Sequence, residues 1–179
     1  MKDDRVGFEM VVVVTGLPGT GKSTLADALA RRLKAPAFAG DWLFGALKPS
    51  GVLANLERAD SLELYYRLLW TLVSRQLMLE QSALVDCIVN EARAAQWREQ
   101  AELLGGRCFV VQCVCGDDAV HRRRIEGRKR GIPGWHEVGW DHVLRMREEF
   151  PPLRSPDLAV DALNSLDDNV RAVLQLLGR

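Results

Sequence analysis

Gly16-Leu-Pro-Gly-Thr-Gly-Lys22-Ser23-Thr24 is the stretch from which the rest of this chain is read. The apolar run Met10-Val-Val-Val-Val14 precedes it, and Leu25-Ala-Asp-Ala-Leu-Ala-Arg-Arg-Leu33 follows with helical spacing. Strand, glycine-rich turn and helix, with Gly-x4-Gly-Lys-Ser at the turn, make a phosphate-binding loop in the context its chemistry needs. Gly16, Gly19 and Gly21 let the backbone curl until successive N–H groups point inward. A helix starting near Lys22 adds its unpaired N-terminal N–H groups and the positive end of its dipole.

Such a loop implies a nucleoside triphosphate with Mg2+. Lys22 sets a cation between the β- and γ-phosphates, and the Ser23 hydroxyl suits Mg2+, a hard cation that prefers oxygen ligands. ATP and Mg2+ are the expected cofactors. Gly16, Pro18, Gly19, Thr20, Gly21, Lys22, Ser23 and Thr24 form the expected binding loop.

The chain of 179 residues fits one domain with a single substantial core. Its 24 basic and 24 acidic side chains balance, so no global field draws it to nucleic acid or acidic membranes. No run approaches the roughly 18 uncharged apolar residues of a membrane span. The nearest, Leu62 to Leu79, is broken by Glu63, Arg67 and Arg75. The opening Met-Lys-Asp-Asp-Arg lacks the apolar region of a signal peptide, so a cytoplasmic location is expected. Cys87, Cys108, Cys113 and Cys115 form no C-x-x-C pair. Cys113 and Cys115 share a strand face near His121, but their spacing is wrong for zinc, and cysteine in apolar runs packs as a small hydrophobe.

Strand and helix signals alternate. Strands are expected at about 8–14, 36–40, 83–89, 107–115 and 157–161, and helices at 22–33, 61–81, 93–104, 117–129, 137–149 and 167–178. Alternation implies a parallel sheet covered on both faces, with ligands at the carboxyl ends of its strands. Asp117 is an expected helix cap after Gly116, and Pro151-Pro152 should stop the helix before it.

Candidate chemistry gathers at those strand ends. Asp86, in Ala83-Leu-Val-Asp86, resembles an acid that orients Mg2+; the alternative is a turn cap. Asp41, after Phe38-Ala-Gly40, can accept the proton of an acceptor hydroxyl and hold it in line with the γ-phosphate, or can cap the helix that follows. Arg124 and Arg128 read as neighbours on one helix face, able to grip phosphate oxygens and stabilise charge on the transferring group; the alternatives are a solvated basic face or an RNA-facing patch. Gly127, Gly131 and Gly134 would give a closing lid its freedom, with Trp135 and Trp140 shielding the closed site. Arg93 or Arg98 is a candidate contact to substrate or γ-phosphate, with a surface ion pair as the alternative. Trp42 is a candidate wall of the acceptor pocket, while the other aromatics between the second and third strands read as helix packing.

Taken together, these motifs resemble the small P-loop kinases, in particular the AAA-33 group. That group includes chloramphenicol phosphotransferase, zeta toxins, gluconate and shikimate kinases, and polynucleotide kinase. The motifs are the Gly16–Ala26 loop, Gly40-Asp41, Leu-Val-Asp86, Arg124-x3-Arg128 and the terminal Asp157-Leu-Ala-Val-Asp161. The resemblance implies an α/β fold, a P-loop NTPase three-layer sandwich with a parallel five-stranded sheet in order 2-3-1-4-5 and a helical lid. It implies one kinase domain over 1–179, with a variable substrate region at about 41–82 and the lid at about 124–142. It implies Asp41 as base, Arg124 and Arg128 as nucleotide and transition-state arginines, and the loop Ala162 to Ser165 beside the adenine. The expected activity is transfer of the γ-phosphate of ATP to a hydroxyl of a small molecule. The alternatives are a polynucleotide 5′-hydroxyl or nucleotide-sugar acceptor, or a regulatory ATPase that switches partner binding.

Overall fold

The computed structural model describes residues 9–179. Strand β1 (Met10–Thr15) is buried along its whole length. Val11 and Val13 point to one face of the sheet and Val12 and Val14 to the other, since side chains alternate along a strand. Both faces are covered, which is why the strand is an unbroken apolar run rather than an alternating one. β1 pairs in parallel with β3 (Ala83–Asp86) and β4 (Arg107–Val114). β2 (Ala37–Ala39) joins the outer side of β3, and β5 (Leu158–Asp161) the outer side of β4. The resulting order is 2-3-1-4-5, a parallel five-stranded sheet in an α/β sandwich.

On one face, α1 (Lys22–Leu33) and α7 (Leu166–Leu176) bring Leu25, Leu29, Val170 and Val173 onto Val12, Val14 and Val111. On the other, α2 (Gly40–Leu47), α3 (Arg58–Leu77) and α4 (Glu91–Leu103) cover Val11, Val13, Val85 and Val110. Trp97 of α4 is 1% exposed, stacks on Trp70 at 5.7 Å and meets Tyr66 edge-on at 5.9 Å. Trp97→Ala empties the centre of this cluster, and a loss of about 3–5 kcal/mol in unfolding free energy is expected from chemical denaturation.

Helices α5 (Asp118–Glu126) and α6 (Trp140–Glu149) lie near the glycine loop, where Ile125, Val138 and Val143 form a small cluster against Leu17. Arg147 ties them together with two bonds to the Asp118 carboxylate, at 3.1 and 2.8 Å. Asp117 caps α5 as expected, accepting the Val120 N–H at 2.9 Å.

Several elements differ from their sequence expectation for local reasons. The helix expected over 117–129 stops at Glu126 because Gly127 takes the C-cap, a residue with the largest entropy cost inside a helix. Arg128 therefore lies past the helix end and not one turn along from Arg124 on the same face. The helix expected over 137–149 begins only at Trp140, with Gly139 at its N-cap. The strand expected over 83–89 stops at Asp86, and the loop after it is held by the Val89 N–H donating to Thr15 Oγ1 at 3.0 Å. The helix expected at 61–81 runs from Arg58 to Leu77. Residue 8, where the first strand was expected to begin, and the stretch 1–5 lie outside the described residues. Among the described residues no helix is long and apolar enough to cross a membrane. No cluster of three His, Cys, Asp or Glu among them is placed to hold a metal ion, so Cys113, Cys115 and His121 form no such site.

Candidate functional site

The glycine loop leaves the carboxyl end of β1 and enters α1 at Lys22. Gly16, at φ 150°, lies so close to the Cys113 carbonyl that a Cβ there would collide with it. The Thr20 hydroxyl donates to the Leu17 carbonyl at 2.8 Å. His121, 1% exposed, contacts the Pro18 carbonyl through Nε2 at 2.7 Å, and its ring meets Trp140 edge-on at 5.2 Å. Burial above all holds its pKa below the ordinary histidine value. The neutral ring must carry its proton on Nε2 to donate to that carbonyl. His121 thus braces the loop from α5, a role the sequence reading did not find.

Asp86 ends β3 directly beside Val14 and Ala39 in the sheet. It is 9% exposed, and its Oδ1 has no hydrogen-bond partner. Burial raises its pKa, while the Lys22 ammonium and then the Ser23 hydroxyl lower it. An orphaned carboxylate oxygen beside a hydroxyl suits a hard cation, so Ser23 and Asp86 fit Mg2+.

The glycine loop separates two cavities. The larger, about 690 Å3, has Gly16, Pro18, Lys22 and Asp41 on its floor and Tyr65, Arg130 and Trp135 among its walls. The smaller, about 350 Å3, is lined by Gly19, Thr20, Gly21 and Thr24 together with Arg124, Arg128, Ala162 and Asn164. The loop proposed to bind phosphate therefore faces a space on each side, and Lys22 opens to the larger one.

Asp41 sits in the first turn of α2; the cap position belongs to Ala39, so the capping alternative does not hold. Its neighbour Gly40 is required, because the ring of Tyr65 occupies the space a Cβ would fill. The Asp41 carboxylate accepts a bond from Arg130 Nη1 at 2.5 Å, an ion pair with both side chains largely shielded. The Arg130 backbone N–H in turn donates to Glu137 at 2.7 Å. In the sequence, Arg130 is only one of several basic residues from Arg122 onward, and nothing local singles it out. The early end of α5 is what swings it towards Asp41.

Arg124 and Arg128 do meet at the smaller cavity, although one is helical and the other is not. Arg124 Nη2 donates to the Ala162 carbonyl at 2.9 Å. Arg128 buries Nε and Nη2 with no partner for either. Its pKa is pressed down by burial and then by the Arg130 charge. An unpartnered buried guanidinium is costly unless an anion completes it.

Other candidates are not brought here. Arg93 binds Glu63 at 2.5 Å and Gln96 at 2.7 Å and lies 4.3 Å over the Tyr66 ring, so it packs α4 to α3 and lines neither cavity. Arg98 pairs with Asp157 at 2.9 Å. Trp42, 56% exposed, also lines neither cavity; the tryptophan in the wall of the larger one is Trp135.

The AAA_33 family, described as an AAA domain, matches residues 11–153. The chain belongs to the AAA_33 family. Among solved structures, this AAA_33 chain is similar to an unliganded sugar kinase from Janibacter sp. HTCC2649, at 17% identity and TM-score 0.69, covering 96% of this chain and 95% of that one. It is similar to a gluconokinase from Sinorhizobium meliloti 1021, at 21% identity and TM-score 0.66, covering 98% and 94%. It is also similar to the Mycobacterium tuberculosis APS kinase in complex with AMPPNP and APS, at 23% identity and TM-score 0.60, covering 96% and 99%. At these identities the likeness is one of fold, that of the P-loop kinases. No curated protein matches the chain.

Proposed function

We propose that this protein transfers the γ-phosphoryl group of ATP to a hydroxyl of a small molecule. The observation that carries the reading is the glycine loop standing between two cavities, one holding Asp41 and the other Arg124 and Arg128. A nucleotide seated in the smaller cavity, with Ala162 and Asn164 beside its base, would run its phosphates along the loop towards Lys22. An alcohol in the larger cavity would present its oxygen at Asp41. The named solved relatives, a sugar kinase, a gluconokinase and an APS kinase, support a small acceptor. The volume of the larger cavity, about 690 Å3, also suits a small molecule.

In this reading Lys22 and the loop N–H groups hold the β- and γ-phosphates. Asp41 orients the acceptor hydroxyl and takes its proton as the oxygen attacks phosphorus. Before transfer, Arg130 neutralises Asp41 across the cavity. Arg124 and Arg128 balance charge on the phosphate oxygens, and Arg128 gains the partners its buried nitrogens lack. Mg2+, when bound by Ser23 and Asp86, would neutralise charge on the triphosphate. Residues at about 41–82 serve as the acceptor wall and those at about 124–142 as the lid, all within one domain working in the cytoplasm.

Arg128→Ala is expected to lower kcat by about a hundredfold, the scale of one lost charge-stabilising donor. Acceptor KM should hardly change, because Arg128 lies on the nucleotide side; steady-state kinetics separates the two. The reaction itself is tested by incubating the protein with ATP, Mg2+ and a mixture of alcohols under phosphorus NMR. A new phosphomonoester resonance growing with ADP supports transfer. Inorganic phosphate alone would contradict it.

A further inference from the structure

The two cavities differ in chemistry as well as size, and the difference bears on what the acceptor is. The larger encloses about 690 Å3 against about 350 Å3 for the smaller. Beyond Asp41 its walls are mainly hydrocarbon and aromatic: Phe44, Leu56, Leu62, Trp135, Met146 and Phe150. They come from three separate places, α2 with α3 and the loop before it, the segment after α5, and α6. Phe44 meets Tyr65 edge-on at 5.1 Å and Trp135 at 6.4 Å, so part of the wall is a packed aromatic surface.

The polar groups of the lining are outweighed by hydrocarbon, and several of them are already engaged. Arg130 is paired with Asp41, and Arg58 with Glu149. Lys48 Nζ lies 3.4 Å from His136 Nδ1. His136 and His142 have pKa values below the ordinary one, each chiefly through burial, so both present uncharged rings at neutral pH. A sugar acid or polyol needs a hydrogen-bonding partner for nearly every hydroxyl it buries, since a buried polar group without one is costly. This cavity offers such partners at separate points, among them Asp41, Lys48, Ser61, the two histidines and the unpartnered Trp135 Nε1, within a wall that is mostly hydrocarbon.

Resting on the phosphotransferase reading, we infer that the acceptor is an apolar-bodied alcohol of drug-like size, carrying an aryl or branched aliphatic group, and not a polyhydroxylated sugar or sugar acid. The hydroxyl meets Asp41 on the floor, and the hydrocarbon body fills the space between Phe44, Leu62 and Trp135. The volume lies in the range that takes ligands of that size. The transfer balances simply. The acceptor O–P bond forms, the bond from phosphorus to the bridging oxygen breaks, the proton passes to Asp41, and ADP leaves.

The test is calorimetric titration of the full chain, first with a non-hydrolysable ATP analogue and Mg2+, then with naphthylethanol or gluconate. Naphthylethanol should bind at least about tenfold tighter than gluconate, with the negative heat-capacity change of apolar burial. Leu56→Asp, on an exposed part of the wall, should weaken naphthylethanol about tenfold while the analogue binds as before, which also shows the variant to be folded. Gluconate binding as tightly as naphthylethanol, or tighter, would overturn the inference. So would an unchanged naphthylethanol affinity in Leu56→Asp. Failure of the analogue itself to bind would instead overturn the phosphotransferase reading on which the inference stands.

Discussion

Lys22→Ala should reduce phosphoryl transfer by roughly a thousandfold, with little change in thermal midpoint. Lys22 is 8% exposed, opens a helix, and has the larger cavity in front of it. It neighbours Asp86, whose carboxylate its charge helps to keep ionised. Alanine suits the first turn of α1, so the fold should tolerate the change. On the proposed mechanism, what is lost is the cation facing the point where charge moves from the γ-phosphate to the bridging oxygen. Steady-state turnover checks the effect, and a thermal melt shows that it is not unfolding. A variant retaining more than about a tenth of the wild-type rate would contradict the assignment.

Asp41→Asn is expected to remove about two to four orders of magnitude of transfer, the range of a lost general base. Nucleotide affinity should stay near wild type. Asparagine has the same shape and preserves the packing of Gly40 against Tyr65, but it cannot take the acceptor proton and no longer forms an ion pair with Arg130. The smaller cavity, with Arg124 and Arg128, where the proposed reading seats the nucleotide, lies across the glycine loop from it. Titration of an ATP analogue alongside single-turnover transfer separates the two effects. A large loss of nucleotide affinity would place Asp41 in nucleotide binding and not in acceptor chemistry.

The parts of this architecture legible in the sequence are those written in local pattern. The valine run of β1, the glycine spacing before Lys22 and the apolar residues leading to Asp86 each carry their own structural reason, and the sheet follows from their alternation. The structure brings Asp86, Lys22 and Asp41 to neighbouring strand ends, where a parallel sheet places its ligands. What the sequence hid depends on where one helix stops. Arg124 and Arg128 look like helix neighbours only if Gly127 is passed over. Once Gly127 ends α5, the chain turns and delivers Arg130 to Asp41. Arg93 and Trp42 illustrate the opposite limit. Each lies near a candidate site residue in sequence, but Arg93 is turned onto Glu63 and Tyr66, and Trp42 is turned outward. His121 was hidden for another reason, since its contact with Pro18 spans 103 positions of chain and leaves no local signal.

The most direct measurement is ADP release from ATP and Mg2+ across a panel of alcohols, run in parallel on the wild type, Lys22→Ala and Asp41→Asn. Turnover that one alcohol stimulates in the wild type, and that both variants lose, is the predicted result. A slow rate that no alcohol changes, or a stimulated rate that survives in Asp41→Asn, would contradict an acceptor cavity whose base is Asp41.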